Sequence, residues 1–292
     1  MSGRGKSTPP VRPASARTRT DAPESDAGAP PTQAELEAIE WQRVRWVTLL
    51  GASVERDEAL GVALASHDAR GAGLNFAACV RWPAAQVGER LSILETRMRS
   101  AGVWPQVVVT DGLTQPADLS DHLRTAGWVP IGSERIMWTR HASVVPHLDP
   151  ALRIEAVTRA TALDVARLEA VSFELDPREI DQSAHLLGGA VESGATRGFL
   201  VRLAGEAVAS ARLMPGEPGS RVASLHAIGV AERHRRRGYG RLITAVATRA
   251  GLATGHPLVW LSVDGDNASA IDMYRGLAFD FTFTWARWAA PA

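Results

Sequence analysis

Ile228-Gly229-Val230-Ala231-Glu232-Arg233-His234-Arg235-Arg236-Arg237-Gly238-Tyr239-Gly240-Arg241 is the most informative stretch of the chain. It reads as the end of a β-strand, a basic glycine-bearing turn and the start of a helix. The strand runs from Val222 to Val230, and the helix carries apolar residues at helical spacing from Tyr239 to Ala253. A helix N-terminus has unpaired backbone N–H groups and the positive end of the helix dipole. Gly238 and Gly240 let that backbone come close to a ligand, and Arg235, Arg236, Arg237 and Arg241 add charge. The combination is an anion site suited to a phosphate or pyrophosphate.

Two familiar phosphate loops do not fit. A P-loop needs Gly-Lys-Ser/Thr, and no lysine stands here. The dinucleotide fingerprint needs a third glycine, and Ile243 occupies its place. A second segment follows the next strand (Leu258 to Val263): Asn267-Ala268-Ser269-Ala270-Ile271-Asp272-Met273-Tyr274, with Phe279 beyond it. Tyr239 and Tyr274, the protein's two tyrosines, fall in these two segments.

Outward from this region the chain divides by composition. Residues 1–33 are rich in proline and small polar residues and lack aromatics, the signature of a disordered tail. Residues 34–140 alternate helical and strand patterns. Residues 141–150 hold two prolines without periodicity and read as a linker, and 151–292 form a second patterned block. Strand, long helix, strand, short helix and closing strand occur at 74–139 and again at 222–288, which points to duplication. Strands interleaved with helices argue an α/β or α+β layered fold.

Composition excludes several function classes. Over 292 residues, 32 basic side chains balance 32 acidic ones, leaving no general charge for nucleic acid or an anionic membrane. No run of ~18 apolar residues suggests a membrane span. The N-terminus has no apolar signal region, so a cytoplasmic location is expected. Cys79 is the single cysteine, and no Cys/His cluster has metal spacing, so no metal is expected.

The spacing R-x-x-G-x-G, Arg235 to Gly240, together with N-x-x-A-x-x-x-Y, here ending at Tyr274, resembles the GNAT superfamily of acyl-CoA-dependent N-acetyltransferases. The resemblance covers about 151–292. The first block shares element order and Ala126-Gly127-Trp128 only, as in tandem superfamily members with a degenerate N-terminal half. Ala278 departs from the family's glycine before Phe279. The resemblance implies two GNAT-like domains, each a mixed, mainly antiparallel sheet flanked by helices.

It also implies roles. Acetyl-CoA is the cosubstrate, and the acceptor is a primary amine of a small molecule or peptide, attacking directly in a ternary complex. The backbone of Ile228, Gly229 and Val230 would hold the pantetheine and polarise the thioester carbonyl. Arg235, Arg236, Arg237, Gly238, Tyr239, Gly240 and Arg241 would bind the pyrophosphate. Asn267 would contact the cofactor, a role compatible with capping its helix. Tyr274 would protonate the departing thiolate. Family members often carry a glutamate on the 222–230 strand, and this chain has none. His226 is the candidate base there, directly or through water, and period-two alternation places Ser224, His226 and Ile228 on one face. Each residue also has a plainer reading: solvated arginines, a core tyrosine, a packed strand histidine. The first block has Arg81-Trp82-Pro83 where the second has its glycine turn, and proline removes an N–H donor, so this half should not bind CoA. A homodimer is compatible with the reading. The rival function is a non-catalytic CoA-binding sensor or partner-binding module.

Overall fold

A computed structural model describes residues 27–67, 73–144 and 150–292. Most of the expected tail and 145–149 of the expected linker lie outside the described residues. The first helix, α1 (Gln33–Arg45), opens on Thr32, whose side chain accepts the Glu35 N–H while Glu35 bonds back to Thr32, the reciprocal cap that satisfies two orphan donors. A 3-10 turn (Trp46–Leu50) extends it and ends at Gly51. Then come β1 (Ser53–Asp57), β2 (Val62–Ser66), β3 (Phe76–Ala78), α2 (Val87–Ser100), β4 (Gln106–Thr110), α3 (Leu119–Thr125) and β5 (Val129–Thr139).

The second half follows with β6 (Leu152–Ala156), α4 (Ala162–Ser172), α5 (Ile180–Glu192), β7 (Arg197–Leu203), β8 (Glu206–Met214) and β9 (Val222–Val230). It closes with α6 (Tyr239–Ala253), β10 (Leu258–Asp264), α7 (Ala268–Arg275) and β11 (Asp280–Ala289). The expected repeat is present as β3-α2-β4-α3-β5 and β9-α6-β10-α7-β11. Among the described residues no helix is long and apolar enough to cross a membrane.

Among the described residues all strands join one sheet of 11, in the order β1-β2-β3-β4-β11-β5-β10-β9-β8-β7-β6. Pairing is antiparallel except β3 with β4 and β9 with β10. The order contains an exchange. β11, the last strand of the second half, pairs with β4 of the first. β5, the last strand of the first half, pairs with β10 of the second. The two exchanged strands pair with each other between them.

The exchange places a shared core at the seam. Trp138, Trp260, Phe283 and Trp285 are buried there beneath Ile39 and Val44 of α1. Gln42 of α1 accepts from Trp260 Nε1 at 2.7 Å and donates to the carbonyl oxygens of Met214 and Pro215, both at 3.1 Å. An indole N–H left without an acceptor in a core costs about 1–3 kcal/mol, so Gln42 registers α1 on the second half's sheet. The opposite face of that sheet packs Leu225, Val259 and Leu261 against Leu242 and Ile243 of α6 and Tyr274 of α7.

Candidate functional site

The parallel strands β9 and β10 pair over four positions, Leu258 with Val222 through Leu261 with Leu225. Beyond Leu225 and Leu261 they part. β9 continues to Val230 and β10 to Asp264 without partnering each other, which opens a wedge in the sheet. A bulge helps to make it. Arg212 pairs with His226 and Ser210 with Gly229, so Ala227 and Ile228 together face Ala211 of β8. Ala227 takes φ +49° to do so, and such an extra residue bends its strand.

The bulge corrects one expectation. Ser224 and His226 do share a face, but Ile228 does not share it. Ile228 packs with the α6-side cluster, whereas the His226 ring lies on Trp46, on the α1 side. Period-two alternation cannot survive an inserted residue. Gly229 then faces α4, where a Cβ would meet Leu168 Cδ2 and Ser172 Oγ, each at 3.1 Å.

At the open end of the wedge stands the basic turn. Gly238 is the residue before α6, with φ +86° and open space where a Cβ would point. Arg236 is also left-handed, at φ +60°. A Cβ on Gly240 would approach Met273 Sδ to 3.2 Å and Val230 Cγ2 to 3.5 Å. No side chain caps α6, so its first-turn amides point out of the helix without an intrahelical acceptor. These features fit a pyrophosphate cradle. Of the neighbouring arginines, Arg233 pairs with Glu206. Arg241 donates to the Gly276 carbonyl at 2.6 Å, and Arg235 reaches the Val230 carbonyl at 3.4 Å. Arg236 and Arg237 form no ion pair among the described residues.

Tyr274 is 6% exposed and sits among Val263, Ile271, Leu277 and Phe279, in the cluster that Ile228 and Val230 also join. Burial pushes its phenol up to about 12. Asn267 caps α7, its side chain accepting the Ala270 N–H at 3.1 Å.

His226 is the first β9 residue past the last β10 pair. Its ring stacks on Trp46 at 3.9 Å and 6°, and meets Trp260 edge-on at 5.5 Å and 85°. Its Nε2 is 2.7 Å from Ser224 Oγ. Burial, reinforced by the charges of Arg43 and Arg212, holds its pKa well below the usual histidine value. Both arginines are paired: Arg43 Nε donates to Glu134 at 2.9 Å, and Arg212 Nε donates to Glu169 at 2.8 Å. Burial raises Glu169, partly offset by Arg212. Burial also works to raise Glu134, but Arg43, with Ser262 and Arg287, outweighs it and the net shift is downward.

Trp46, Arg43, Glu134, Arg212 and Glu169 were not read from the sequence. Arg212 carried a faint signal, a charged residue in the interior of a strand made mostly of apolar and small residues. Trp46 and Arg43 carried none, because they lie about 180 residues before His226 and meet it only through α1 docking.

The first half keeps the same plan with its wedge shut. β3 and β4 pair at Ala77 and Val107 only. Cys79 follows β3 with φ +52°, matching Ala227. There Gln115 fills the gap, its N–H on the Val80 carbonyl at 3.0 Å and its carbonyl on the Trp82 N–H at 2.9 Å. Trp82, 2% exposed, occupies the position of the glycine turn.

Comparisons with known proteins bear on the fold. Residues 163–279 match the model of the acetyltransferase (GNAT) family. A mycothiol acetyltransferase of Jonesia denitrificans is 38% identical over 66 residues, a match spanning 23% of this chain and about a fifth (21%) of that relative. A GCN5-related N-acetyltransferase from Kribbella flavida superposes with a TM-score of 0.68 at 18% identity, over 90% of this chain and 97% of that one. A tandem GNAT protein from the clavulanic acid biosynthesis pathway gives 0.61 at 16% identity, over 79% of each chain. The matched stretch holds the glycine turn, the parted strands and Tyr274; over it the chain is similar to the acetyltransferase (GNAT) family, and as a whole it has a mixed, mainly antiparallel fold like that of the tandem GNAT protein.

Proposed function

We propose that the chain transfers an acetyl group from acetyl-CoA to a primary amine at the wedge of its second half. The observation that carries this reading is the parting of β9 from β10 directly beside the uncapped, glycine-bearing N-terminus of α6. It supports one long ligand with an anionic end at the turn and a reactive end between the strands.

Acetyl-CoA supplies the activated acyl group. The amides of Arg236 to Arg241, with the Arg235, Arg236 and Arg237 side chains, hold its pyrophosphate. The free β9 edge at Ile228, Gly229 and Val230 pairs with the pantetheine and donates to the thioester oxygen, where charge develops. His226 takes one proton from the incoming ammonium, directly or through water, so that the amine attacks neutral. As the C–N bond forms and the C–S bond breaks, Tyr274 Oη gives one proton to the sulfur, and the second proton, shed by the acylated nitrogen, returns through water to the Tyr274 oxygen. A phenol held near 12 stays protonated at neutral pH and is available as that acid. Asn267 can cap α7 with its oxygen and offer its N–H2 to the ligand. The first half, its wedge closed by Gln115 and Trp82, holds no second CoA.

Calorimetry with acetyl-CoA tests the placement. Gly238→Asp puts a side chain at φ +86° and a negative charge on the anion site. Affinity is expected to fall at least on the order of 100-fold, and unchanged affinity would overturn the site. Thiol release across a panel of primary amines tests the chemistry. Binding without turnover, and no effect of Tyr274→Phe, would instead describe a CoA sensor.

A further inference from the structure

We propose that Trp46, which the first half carries, is the positioning residue for His226, so that the first half completes the catalytic site of the second. The proposal rests on the reading of His226 as the base.

The geometry is specific. A histidine acting on a substrate must hold one nitrogen free and its ring fixed. Three contacts fix this ring: the face-to-face stack on Trp46, the edge contact with Trp260 of β10, and the Nε2 bond to Ser224 of β9. In the tautomer that donates Nε2–H to Ser224 Oγ, Nδ1 keeps its lone pair. No hydrogen bond to Nδ1 occurs among the described residues. Ser224 and Trp260 belong to the same sheet half as His226, so they set where the ring sits. Trp46 is the ring stacked on its face among the described residues. It comes from the turn after α1, and that turn packs against α5 of the second half. Trp46 is itself only half-buried, so it stands between the imidazole and solvent.

The surroundings contain charge, and the two arginines act on the imidazole in the same direction as burial. Arg43 of α1 faces His226 and is forked with Glu134 of β5, and Arg212 of β8 faces it and is forked with Glu169 of α4. The Arg212 guanidinium also lies 5.9 Å from the Trp46 ring centroid. Removing Trp46 leaves these pairs in place and admits water to the imidazole. Water favours the charged form. The His226 titration therefore moves up toward the ordinary histidine value of about 6.5, and the ring loses its fixed plane.

The test compares Trp46→Ala with Trp46→Phe, which keeps a ring to stack on. The first measurement is the NMR titration of the His226 imidazole in the full chain without any ligand. The second is the pH profile of kcat/KM for acetyl-CoA and the fastest amine of the panel. In Trp46→Ala the imidazole midpoint is expected to rise, the acid limb of kcat/KM to move up with it, and kcat to fall on the order of 100-fold. The KM for acetyl-CoA should stay near its original value. Trp46→Phe should recover most of both. If Trp46→Ala binds acetyl-CoA normally and leaves both the titration and the profile unmoved, Trp46 does not position the base. Should Trp46→Ala fail to fold, Trp46→Leu takes its place, and an unshifted titration there overturns the proposal equally. His226→Ala separates the proposal from its premise. An unaltered profile in that variant removes the base reading and the proposal together, whereas an altered one beside an insensitive Trp46→Ala removes Trp46 only.

Discussion

Ala227 bears more of the site than its size suggests. It is a non-glycine residue at φ +49°, and its extra place in β9 turns Ile228 away from His226. A left-handed conformation costs an L-residue roughly 1–2 kcal/mol, and a β-branched side chain tolerates it least. Ala227→Val is expected to lower stability by about 2 kcal/mol and to reduce acetyl-CoA affinity, whereas Ala227→Gly should be near neutral. Denaturant unfolding with calorimetry checks both, and an Ala227→Val protein as stable as the parent would mean that the bulge relaxes. Tyr274 is the other decisive residue. Tyr274→Phe keeps the ring that packs on Phe279 at 6.0 Å and removes only the hydroxyl. If Tyr274 is the acid, kcat should fall by about 10²–10⁴ with acetyl-CoA affinity retained. An unchanged kcat would assign the tyrosine to packing alone.

At the scale of elements, the two motifs were legible because their signals are local. The glycine before α6 and the asparagine before α7 mark helix starts, and both helices occupy the segments their spacing indicates. The β1–β2 hairpin was not anticipated, because Ser-Val-Glu-Arg-Asp and Val-Ala-Leu-Ala-Ser show no clean alternation. Their pairing depends on Ala63 and Ala65 fitting beside Phe76 in the seam core. The docking of α1 was equally hidden. Glu35 ties its first turn to Arg140 at 2.7 Å, just past the end of β5, and to Arg221 at 3.3 Å, just before β9. The Arg140 hydrogen bonds, against the cost of burial, bring its carboxyl down to about 2. A carboxyl with a depressed folded pKa adds stability above its unfolded value, and that stability is lost as pH falls through the folded one. Acid unfolding should therefore draw on Glu35 between about pH 4.5 and 2. Glu35→Gln should cost about 3 kcal/mol at neutral pH and flatten that part of the pH–stability curve. A parallel curve for variant and parent would remove Glu35 from the account.

At the scale of the whole molecule, the exchange of β5 and β11 makes the halves interdependent. Each half's last strand lies within the sheet next to the other half's strands. Neither can unfold without stripping partners and the tryptophan core from its neighbour. Thermal unfolding is expected to be one transition, with tryptophan fluorescence and far-UV dichroism sharing a midpoint. Two separated midpoints would show that the halves melt independently.

The sequence by itself determined the basic, glycine-bearing turn, the tyrosine segment, the repeated element order and the absence of a glutamate on β9. The turn, the segment and the bare strand follow from backbone freedom and side-chain spacing within some fourteen residues or fewer, and the element order is a string of such local signals. Tertiary structure alone decided which strands pair across the halves, which face Ile228 takes, and that Trp46 of the first half stacks on His226 of the second, with Arg43 close enough to act on it through its charge. The physical reason is range. A closing strand such as Phe283-Thr284-Trp285 shows the same alternation beside either half, and only the burial of Trp138, Trp260 and Trp285 under one helix selects the partner.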